Sequence, residues 1–195
     1  DNYVRITVHN RGPEASEIHL LPQLWFRNTW SWGEPGPKPE MSLDTKAGAV
    51  VAEGGGRKTD LSTYRLYREG DAPWLFTDNE TNRRRLYGAS DAEGYFKDAF
   101  HECVVNGQEN SVNPEQRGTK AAAHYRLNIP AGGHAVVRLR LCVESHAKPF
   151  LGFDEVVDRR QKAADALYDP PQKGRARDQR AAPRSAQRRL RRARA

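Results

Sequence analysis

Asp98 and Glu102, four positions apart, are the acidic residues whose placement would suit a pair of catalytic carboxyl groups. Hydrolysis of a glycosidic bond with inversion needs a protonated carboxyl that assists the leaving group and a carboxylate that activates water, roughly 6.5–9.5 Å apart. Residues 1–170 contain 24 acidic side chains, so some pair with suitable spacing is expected by chance. The sequence therefore predicts no catalytic residue, and neither Asp98 nor Glu102 is assigned that role.

A second candidate region is an aromatic segment, residues 21–33, which has the sequence LPQLWFRNTWSWG. Trp30 and Trp32 would share one face of an extended segment, as a platform that stacks against a sugar ring requires. The alternative is that these rings lie in the core or at a domain contact. We favour this alternative because large aromatic side chains dominate the energetics of cores and interfaces. The candidates for substrate binding or a domain interface are Arg27, Asn28, Trp30, Trp32, Asp98 and His101.

Metal ligands and phosphate-binding loops have spacings that this sequence does not match. The six histidines form no paired-ligand motif. His101 and Cys103 would share one face of a strand, but two donors do not complete a zinc site. The segment GGGRKT has Arg57 where a phosphate-binding loop has glycine before its lysine, and no strand-to-helix pattern surrounds it. We predict no metal and no cofactor.

The positive charge of the chain is concentrated near its C-terminal end. Ten of the 32 Lys and Arg residues and one of the 25 acidic residues lie in residues 171–195. This leaves residues 1–170 with 22 basic and 24 acidic side chains, a net charge of −2. The globular part is therefore not basic, and we do not expect it to bind nucleic acid.

Cysteine usage and hydropathy favour a soluble cytoplasmic protein. Cys103 and Cys142 lie far apart in no paired motif, which is typical of a reducing compartment. No stretch approaches the roughly 20 apolar residues of a membrane span, and no charged segment followed by an apolar run indicates a signal peptide. The glycosylation triplet that begins at Asn79 is attributed to chance. We expect no membrane partner.

Short runs of β-forming residues separated by turn residues predict an all-β domain over residues 1–150. The runs cover residues 4–8, 18–26, 49–52, 64–67, 74–77, 101–105, 121–129 and 135–141. The turn at residues 10–13 predicts a hairpin between the first two runs, and the turn at 130–133 predicts one between the last two. Many short strands without long amphipathic helices between them favour an antiparallel β-sandwich.

After the predicted sandwich, the apolar period changes to three and four residues. This period begins at Phe153 and predicts one linker helix within residues 151–169, which Asp169, Pro170 and Pro171 are expected to end. Residues 170–195 are mostly Arg, Ala, Gln and Pro and offer almost nothing to bury. We predict that this tail is disordered.

Five blocks, in order along the chain, resemble bacterial glucosidases related to glycoside hydrolase family 63, the mannosyl-oligosaccharide glucosidase-like group. The blocks are ITVHNRGPEA (residues 6–15), LPQLWFRNTWSWG (21–33), LFTDNETN (75–82), YFKDAFHECVVNG (95–107) and VNPEQRGTKAAAHY (112–125). The segment FDEVVDRRQKAADALY (153–168) is similar to the helix that leads from the β-domain of that family toward its catalytic barrel. The resemblance covers about residues 1–168 and rests on several long blocks.

The resemblance implies a β-sandwich module of an enzyme whose acidic catalytic pair lies in an (α/α)6 barrel. This chain would be a non-catalytic internal fragment of an α-glucosidase that hydrolyses α-glucosidic bonds of oligosaccharides or small glucosides. The partners would be the barrel and the substrate. Because the chain starts within a strand, we expect family sequence before Asp1 and an incomplete sandwich on that side. We also expect the apolar stripe of residues 153–167 to be poorly covered here, since it would pack near the barrel. The alternative is a carbohydrate-binding or nucleic-acid-binding module without a hydrolase parent.

Overall fold

The computed structural model describes residues 1–33, 37–54, 63–90 and 93–178. Its strands are β1 (Asn2–His9), β2 (Ser16–Leu20), β3 (Gln23–Trp25), β4 (Glu40–Asp44), β5 (Ala49–Glu53), β6 (Tyr64–Arg68), β7 (Trp74–Thr77), β8 (Arg117–Gly118), β9 (Lys120–Ala123), β10 (Tyr125–Ile129) and β11 (His134–Cys142). Its α-helices are α1 (Arg83–Tyr87), α2 (Ala99–Asn106) and α3 (Phe153–Asp178), and short 3-10 helices span Trp30–Trp32 and Glu109–Ser111. Asp1–Leu151 form one compact unit, and a second unit begins at Gly152 and contains α3.

The strands of the first unit form antiparallel sheets around one hydrophobic core, which confirms the predicted β-sandwich. A six-stranded sheet has the order β1-β11-β6-β5-β4-β8, a three-stranded sheet has the order β3-β9-β7, and β10 pairs with β2. The core contains Met41, Val50, Ala52, Leu66, Val137 and Leu139 from the large sheet and Trp74, Phe76, Ala121, Ala123 and Tyr125 from the other strands. The apolar alternation along these strands fits burial of one face of each sheet.

The three-stranded sheet is covered on its outer face by α2. Ala122 of β9 points away from the main core and forms a second cluster with Leu75 and Phe100. Ala121, Ala122 and Ala123 are all fully buried, so both faces of this central strand are covered. The small side chains of β9 suit a strand packed on both sides. This packing fixes α2, and with it Asp98 and Glu102, on the sandwich.

The two predicted hairpins are wrong, because each turn carries the chain to a different sheet. β1 pairs with β11, and β2 pairs with β10. The two connections lie side by side: Asn10 N donates to Gly133 O at 2.9 Å, and Asn10 Nδ2 donates to Ile129 O at 2.9 Å. The turn residues reverse or bend the chain, but they do not determine the pairing partner of each strand. Each strand pairs in the sheet where its apolar face packs against the core.

Several local predictions also need correction. Residues 101–105 lie in α2, not in a strand, and Gly107 ends that helix in the left-handed region at φ 67°. The predicted run 18–26 is divided into β2 and β3 at Pro22, which has no N–H for a strand ladder. Strands β4 and β8 and the short helix α1 were not predicted. Met41 and Leu43 alternate with polar residues in β4, but over five positions only, and β8 has two residues.

The predicted helix after the sandwich is α3, and it starts at Phe153 as expected. It continues to Asp178, past the predicted stop at Pro170 and Pro171, although a proline inside a helix removes one backbone hydrogen bond and crowds the preceding turn. Phe153 is 2% exposed, whereas Leu167 is 68% exposed. Residues 179–195 of the predicted disordered tail lie outside the described residues. None of the helices in the described part of the chain is both long and apolar enough to cross a membrane.

Replacing Asn10 with alanine is expected to destabilise the first unit by about 0.5–1.5 kcal/mol, the usual net contribution of an intramolecular hydrogen bond that is not fully buried. The side chain of Asn10 donates to Ile129 O and Glu14 O and accepts from Gly12 N. Urea unfolding followed by circular dichroism measures the effect. Arg11→Ala, on the exposed part of the same turn, is the control, and equal stability of Asn10→Ala and this control would contradict the role of Asn10.

Candidate functional site

Four of the five sequence blocks that carry the family resemblance meet at one end of the sandwich. Phe26 N donates to Thr119 O at 3.0 Å, which joins residues 21–33 to residues 112–125. Trp30 Nε1 donates to Glu80 Oε1 at 2.8 Å, which joins the aromatic segment to residues 75–82. Asn82 Nδ2 donates to Asp98 Oδ2 at 3.2 Å, which adds residues 95–107. This end of the sandwich is therefore the candidate site.

The centre of the site is Thr119, a buried residue between β8 and β9. Its Oγ1 donates to Asp78 Oδ1 at 3.2 Å and accepts from Asn79 N at 2.8 Å. Its backbone N donates to Thr77 O, and the backbone of Gly118 approaches Thr77 so closely that an added Cβ would meet that carbonyl oxygen. We call Phe26, Asp78, Asn79 and Thr119 the Thr119 junction. Because it connects strands of both layers, it fixes the loops that carry the candidate side chains.

The Asn79 amide takes part in the Thr119 junction. Asn79 Nδ2 donates to Phe26 O at 2.9 Å, and the residue is partly buried. This contact joins the end of β7 to the aromatic segment.

Next to the junction, Trp30 lies in a charged cluster with Lys38, Asp78 and Glu80, which we call the Trp30 cluster. Lys38 Nζ lies 2.9 Å from Asp78 Oδ2 and 3.0 Å from Glu80 Oε1. It also lies 5.6 Å from the centroid of the Trp30 ring, a cation–π contact. The cluster is half-exposed and internally paired, so its role is to hold the aromatic loop in place.

Electrostatics in the Trp30 cluster keeps both partners charged. Burial acts to raise the pKa of Glu80, but hydrogen bonds from Trp30 and Lys38 outweigh it, and the net pKa lies below the ordinary value of 4.5. Burial likewise acts to lower the pKa of Lys38, and the carboxylates of Asp78 and Glu80 raise it above the ordinary 10.5. A lowered pKa of Glu80 and a raised pKa of Lys38 are both expected when the two side chains form an ion pair.

Trp30 and Trp32 do not form the flat platform that an extended segment would give. They occupy a single 3-10 turn, in which residues two apart point to different sides. Asn28 Oδ1 accepts from Ser31 N at 3.2 Å and so holds this turn. Trp32 is 61% exposed, and the Arg27 guanidinium lies 5.1 Å from its ring centroid. Trp30 is thus an anchor, whereas Trp32 and Arg27 face solvent.

Asp98 and Glu102 share one arginine, in what we call the Arg85 cluster. Arg85 Nη1 donates to Asp98 Oδ2 at 3.2 Å and to Glu102 Oε1 at 2.6 Å. These two oxygens are therefore closer together than the roughly 6.5–9.5 Å of an inverting pair. The second oxygen of Glu102 accepts from Asn106 Nδ2 at 2.6 Å. The carboxylates border a cavity of about 330 Å³, but both are already occupied by protein donors.

The pKa of Glu102 argues against a role as general acid. The hydrogen bond from Asn106 lowers it below the ordinary 4.5, burial acts in the opposite direction, and Arg85 lowers it further. A general acid at neutral pH needs a pKa raised toward that pH. His101, the remaining candidate, is exposed on α2 and accordingly can face a partner but does not belong to this paired cluster.

One group of possible metal ligands lies elsewhere, at Asp1, Cys142 and His146, whose donor atoms are within 4.8 Å of one another. The Arg140 guanidinium lies 2.6 Å from Asp1 Oδ2 and 2.8 Å from His146 Nε2. A positive charge already lies between these ligands and would repel a cation. Cys103 and Cys142 are both free thiols.

The sequence missed Lys38, Glu80, Arg85 and Thr119. Their partners are 40 or more positions away in the chain, except for Arg85, so no short motif marks them. The signal available for Arg85 was the capping residue Asn82, whose Oδ1 accepts from Arg85 N at 3.0 Å.

No family model matches this chain. The chain is similar to the uncharacterized protein YMR196W of Saccharomyces cerevisiae (strain ATCC 204508 / S288c), with 32% identity over 197 residues. The aligned region covers 84% of this chain and 18% of that protein. The chain thus spans less than a fifth of the length of the relative it matches.

Thr119→Val is expected to lower the free energy of unfolding by about 1–3 kcal/mol, because it leaves Asn79 N without its acceptor and removes the hydroxyl that donates to Asp78, whose Oδ1 keeps only the contact from the backbone N of residue 119. Thr77→Val is the matched control. Thr77 is equally buried, and its Oγ1 has no hydrogen-bond partner among the described residues. This control is expected to stay within about 0.5 kcal/mol of wild type or to be more stable. Equal losses for both variants in urea unfolding would contradict the Thr119 junction.

Glu80→Gln is expected to lower stability at neutral pH but not at strongly acidic pH. Because the folded pKa of Glu80 is below 4.5, its ionised form stabilises the fold above pH 4.5, and this contribution is lost as pH falls through the folded pKa. Urea unfolding of wild type and variant between pH 3 and 7 measures the difference, with Glu14→Gln as the control for loss of one charge on an exposed turn. A difference that is constant over the whole pH range would refute the ion pair.

Proposed function

We propose that this chain is the non-catalytic β-sandwich part of an α-glucosidase whose hydrolytic site lies in an (α/α)6 barrel elsewhere in the full-length polypeptide. The observation that carries the proposal is the convergence of four sequence blocks at one end of the sandwich. These blocks resemble glucosidases in sequence, and they lie within hydrogen-bonding distance of one another in space. Such convergence is expected of one functional surface.

The same end of the sandwich has large apolar side chains exposed to solvent. Trp32 on the aromatic segment, Leu86 and Tyr87 on α1, and Val105 on α2 are all more than half exposed. Tyr87, at 75%, is almost uncovered. Aromatic residues and arginine are enriched at interfaces, and Arg27 and Arg85 lie in the same region. These features fit a surface that docks against a catalytic barrel.

The paired clusters behind the surface support this role. The Trp30 cluster and the Arg85 cluster satisfy most of their polar atoms internally, so they serve to hold Trp32, α1 and α2 in fixed positions. A rigid presenting surface lowers the entropic cost of docking. Arg27, Asn28 and His101 are then interface or substrate-border residues, with an oligosaccharide or glucoside bound mainly by the barrel. A cytoplasmic location stays a prediction.

The match to a longer yeast protein is compatible with a module of a larger enzyme. More than four fifths of that relative lies outside the aligned region. The proposal requires that this remaining part of a full-length protein contain the barrel and its carboxyl pair.

We expect the purified chain to show no turnover of α-glucosides, because its Asp98 and Glu102 are close together and paired with Arg85. The assay compares this chain with the yeast relative YMR196W on one panel of aryl α-glucosides and α-linked gluco-oligosaccharides. The longer protein is expected to hydrolyse at least one of them and to release the inverted anomer, which NMR detects early in the reaction.

Two results would contradict the proposal. One is turnover by this chain that is abolished by Asp98→Asn or Glu102→Gln, which would make the sandwich itself catalytic. The other is absence of hydrolysis by the folded yeast relative on the whole panel, which would remove the glucosidase parent. Glu109→Gln, in the 3-10 helix after α2 and not paired with Arg85, is the control for nonspecific effects of removing a carboxylate near α2.

A further inference from the structure

A pair of histidines lies outside the candidate site, where β2 and the start of β10 meet. His19 is in β2, and His124 immediately precedes β10. His19 Nδ1 and His124 Nε2 are 2.7 Å apart. The ring centroids are 5.0 Å apart, and the planes differ by 26°.

These distances define an edge-to-edge contact. The centroid separation is close to the nitrogen–nitrogen distance plus one ring radius at each end, so the two nitrogens point at each other. Rings stacked face to face could not bring one nitrogen of each so close at this centroid separation. The contact is therefore an in-plane hydrogen bond, which needs one N–H and one lone pair.

The neighbouring charges decide which ring is the donor. His19 Nε2 lies 3.4 Å from Glu17 Oε1, which favours a proton on Nε2 and a lone pair on Nδ1. His124 Nε2 then donates to His19. Glu17 also accepts from Arg126 Nε at 2.7 Å, and the segment before β7 contributes only a backbone contact, from His124 N to Pro73 O. Among the described residues, Glu17 and Arg126 are the charged groups that face the pair.

We propose that the His19–His124 pair is a pH-sensitive clasp, which holds the β2–β10 ribbon together in neutral solution and releases it on acidification. One proton between the rings is compatible with the contact. When both rings are fully protonated, two N–H groups face each other at 2.7 Å and both lone pairs are lost. The hydrogen bond then becomes a repulsion between like charges.

The direction of titration agrees with the geometry. Burial, the positive charge of His19 and that of Arg126 lower the pKa of His124 below its ordinary 6.5. The unfolded chain therefore takes up this proton at higher pH than the folded chain does. The contribution of the clasp to stability is complete above pH 6.5 and is lost as pH falls below it.

The two-stranded β2–β10 ribbon is an element that can open without separating the other strands. Within the described residues, β2 pairs only with β10, over the register Leu20–Tyr125 to Ser16–Ile129. β2 is followed at once by Leu21, Pro22 and β3, which leads into the Trp30–Trp32 turn. Loosening β2 would therefore be transmitted along the chain to the aromatic segment. The inference does not depend on the proposed glucosidase role.

Amide hydrogen exchange tests the clasp in the full chain. After correction for intrinsic rates, the amides of β2 and β10 are expected to exchange faster at pH 5 than at pH 7.5, while those of β5 and β6 change little. In His124→Gln this pH-dependent increase is expected to be lost. Glutamine presents either an amide N–H or a carbonyl to His19, so it pairs with both protonation states of that ring. His101→Gln, on α2, should behave as wild type.

Three results would overturn the proposal. The first is a pH-dependent increase in exchange that persists in His124→Gln. The second is the absence of this increase from wild type. The third is an increase that is uniform over all strands, which would report global unfolding. Urea unfolding at both pH values checks that each variant is folded, and a variant that is unfolded at pH 7.5 is replaced by His19→Gln, for which the same loss of pH dependence is expected.

Discussion

Thr119 must satisfy its polar groups without water, because the residue is only 1% exposed. Its hydroxyl and backbone groups bond to Phe26 on one segment and to Thr77, Asp78 and Asn79 on another. A buried donor or acceptor without a partner costs about 1–3 kcal/mol, so these segments are held in one relative position. The same residue is the point at which the chain leaves the six-stranded sheet at β8 and enters the three-stranded sheet at β9. The relative placement of the aromatic segment and of the residues that follow β7 therefore depends on the hydroxyl and backbone groups of one buried residue.

Apolar periodicity predicted most of the strands, but it did not predict their partners. The alternation at residues 4–8 and 135–141 identifies β1 and β11 correctly. The turn after β1 (residues 10–13) and the turn before β11 (residues 130–133) both contain glycine and proline. Such turns are typical of hairpins, yet both connections change sheets. Pairing of β1 with β11 joins residues 125 to 139 positions apart, from His9–His134 to Asn2–Leu141, and local patterns contain no information about such contacts. The sheet class was accessible from the sequence, whereas the topology was not.

The error at α2 has a different cause. Residues 101–105 contain two valines and a cysteine, which favour a strand by propensity. The boundary signals were better guides, since Asp98 precedes the helix and Gly107 follows it. Tertiary packing of Phe100, Cys103 and Val104 of α2 against Leu75 and Ala122 of the sheet then outweighs the weak β-propensity of the valines.

At the candidate site, residue types could be predicted but contacts could not. Aromatic content marked Trp30 and Trp32, but only the fold distinguishes the anchored ring from the exposed one. Asp98 and Glu102 were left without a catalytic role for statistical reasons, and the fold adds a contact of both carboxylates with Arg85 that the sequence did not predict. Lys38 and Glu80 have ordinary sequence contexts, and their pairing depends entirely on the approach of distant loops.

The pairing of β1 with β11 places Asn2 opposite Leu141, so the first residue of one strand lies beside the penultimate residue of the other. Polypeptide joined ahead of β1 and polypeptide continuing after β11 would thus emerge from the sandwich at neighbouring points. A module of this kind can be inserted into another protein with little rearrangement of the host, because the host chain is interrupted at only one place in space. The same adjacency suits the sandwich for insertion into a scaffold protein through its Asn2 and Cys142 ends. It also suits circular permutation, in which these two ends are linked and new termini are opened in a surface loop.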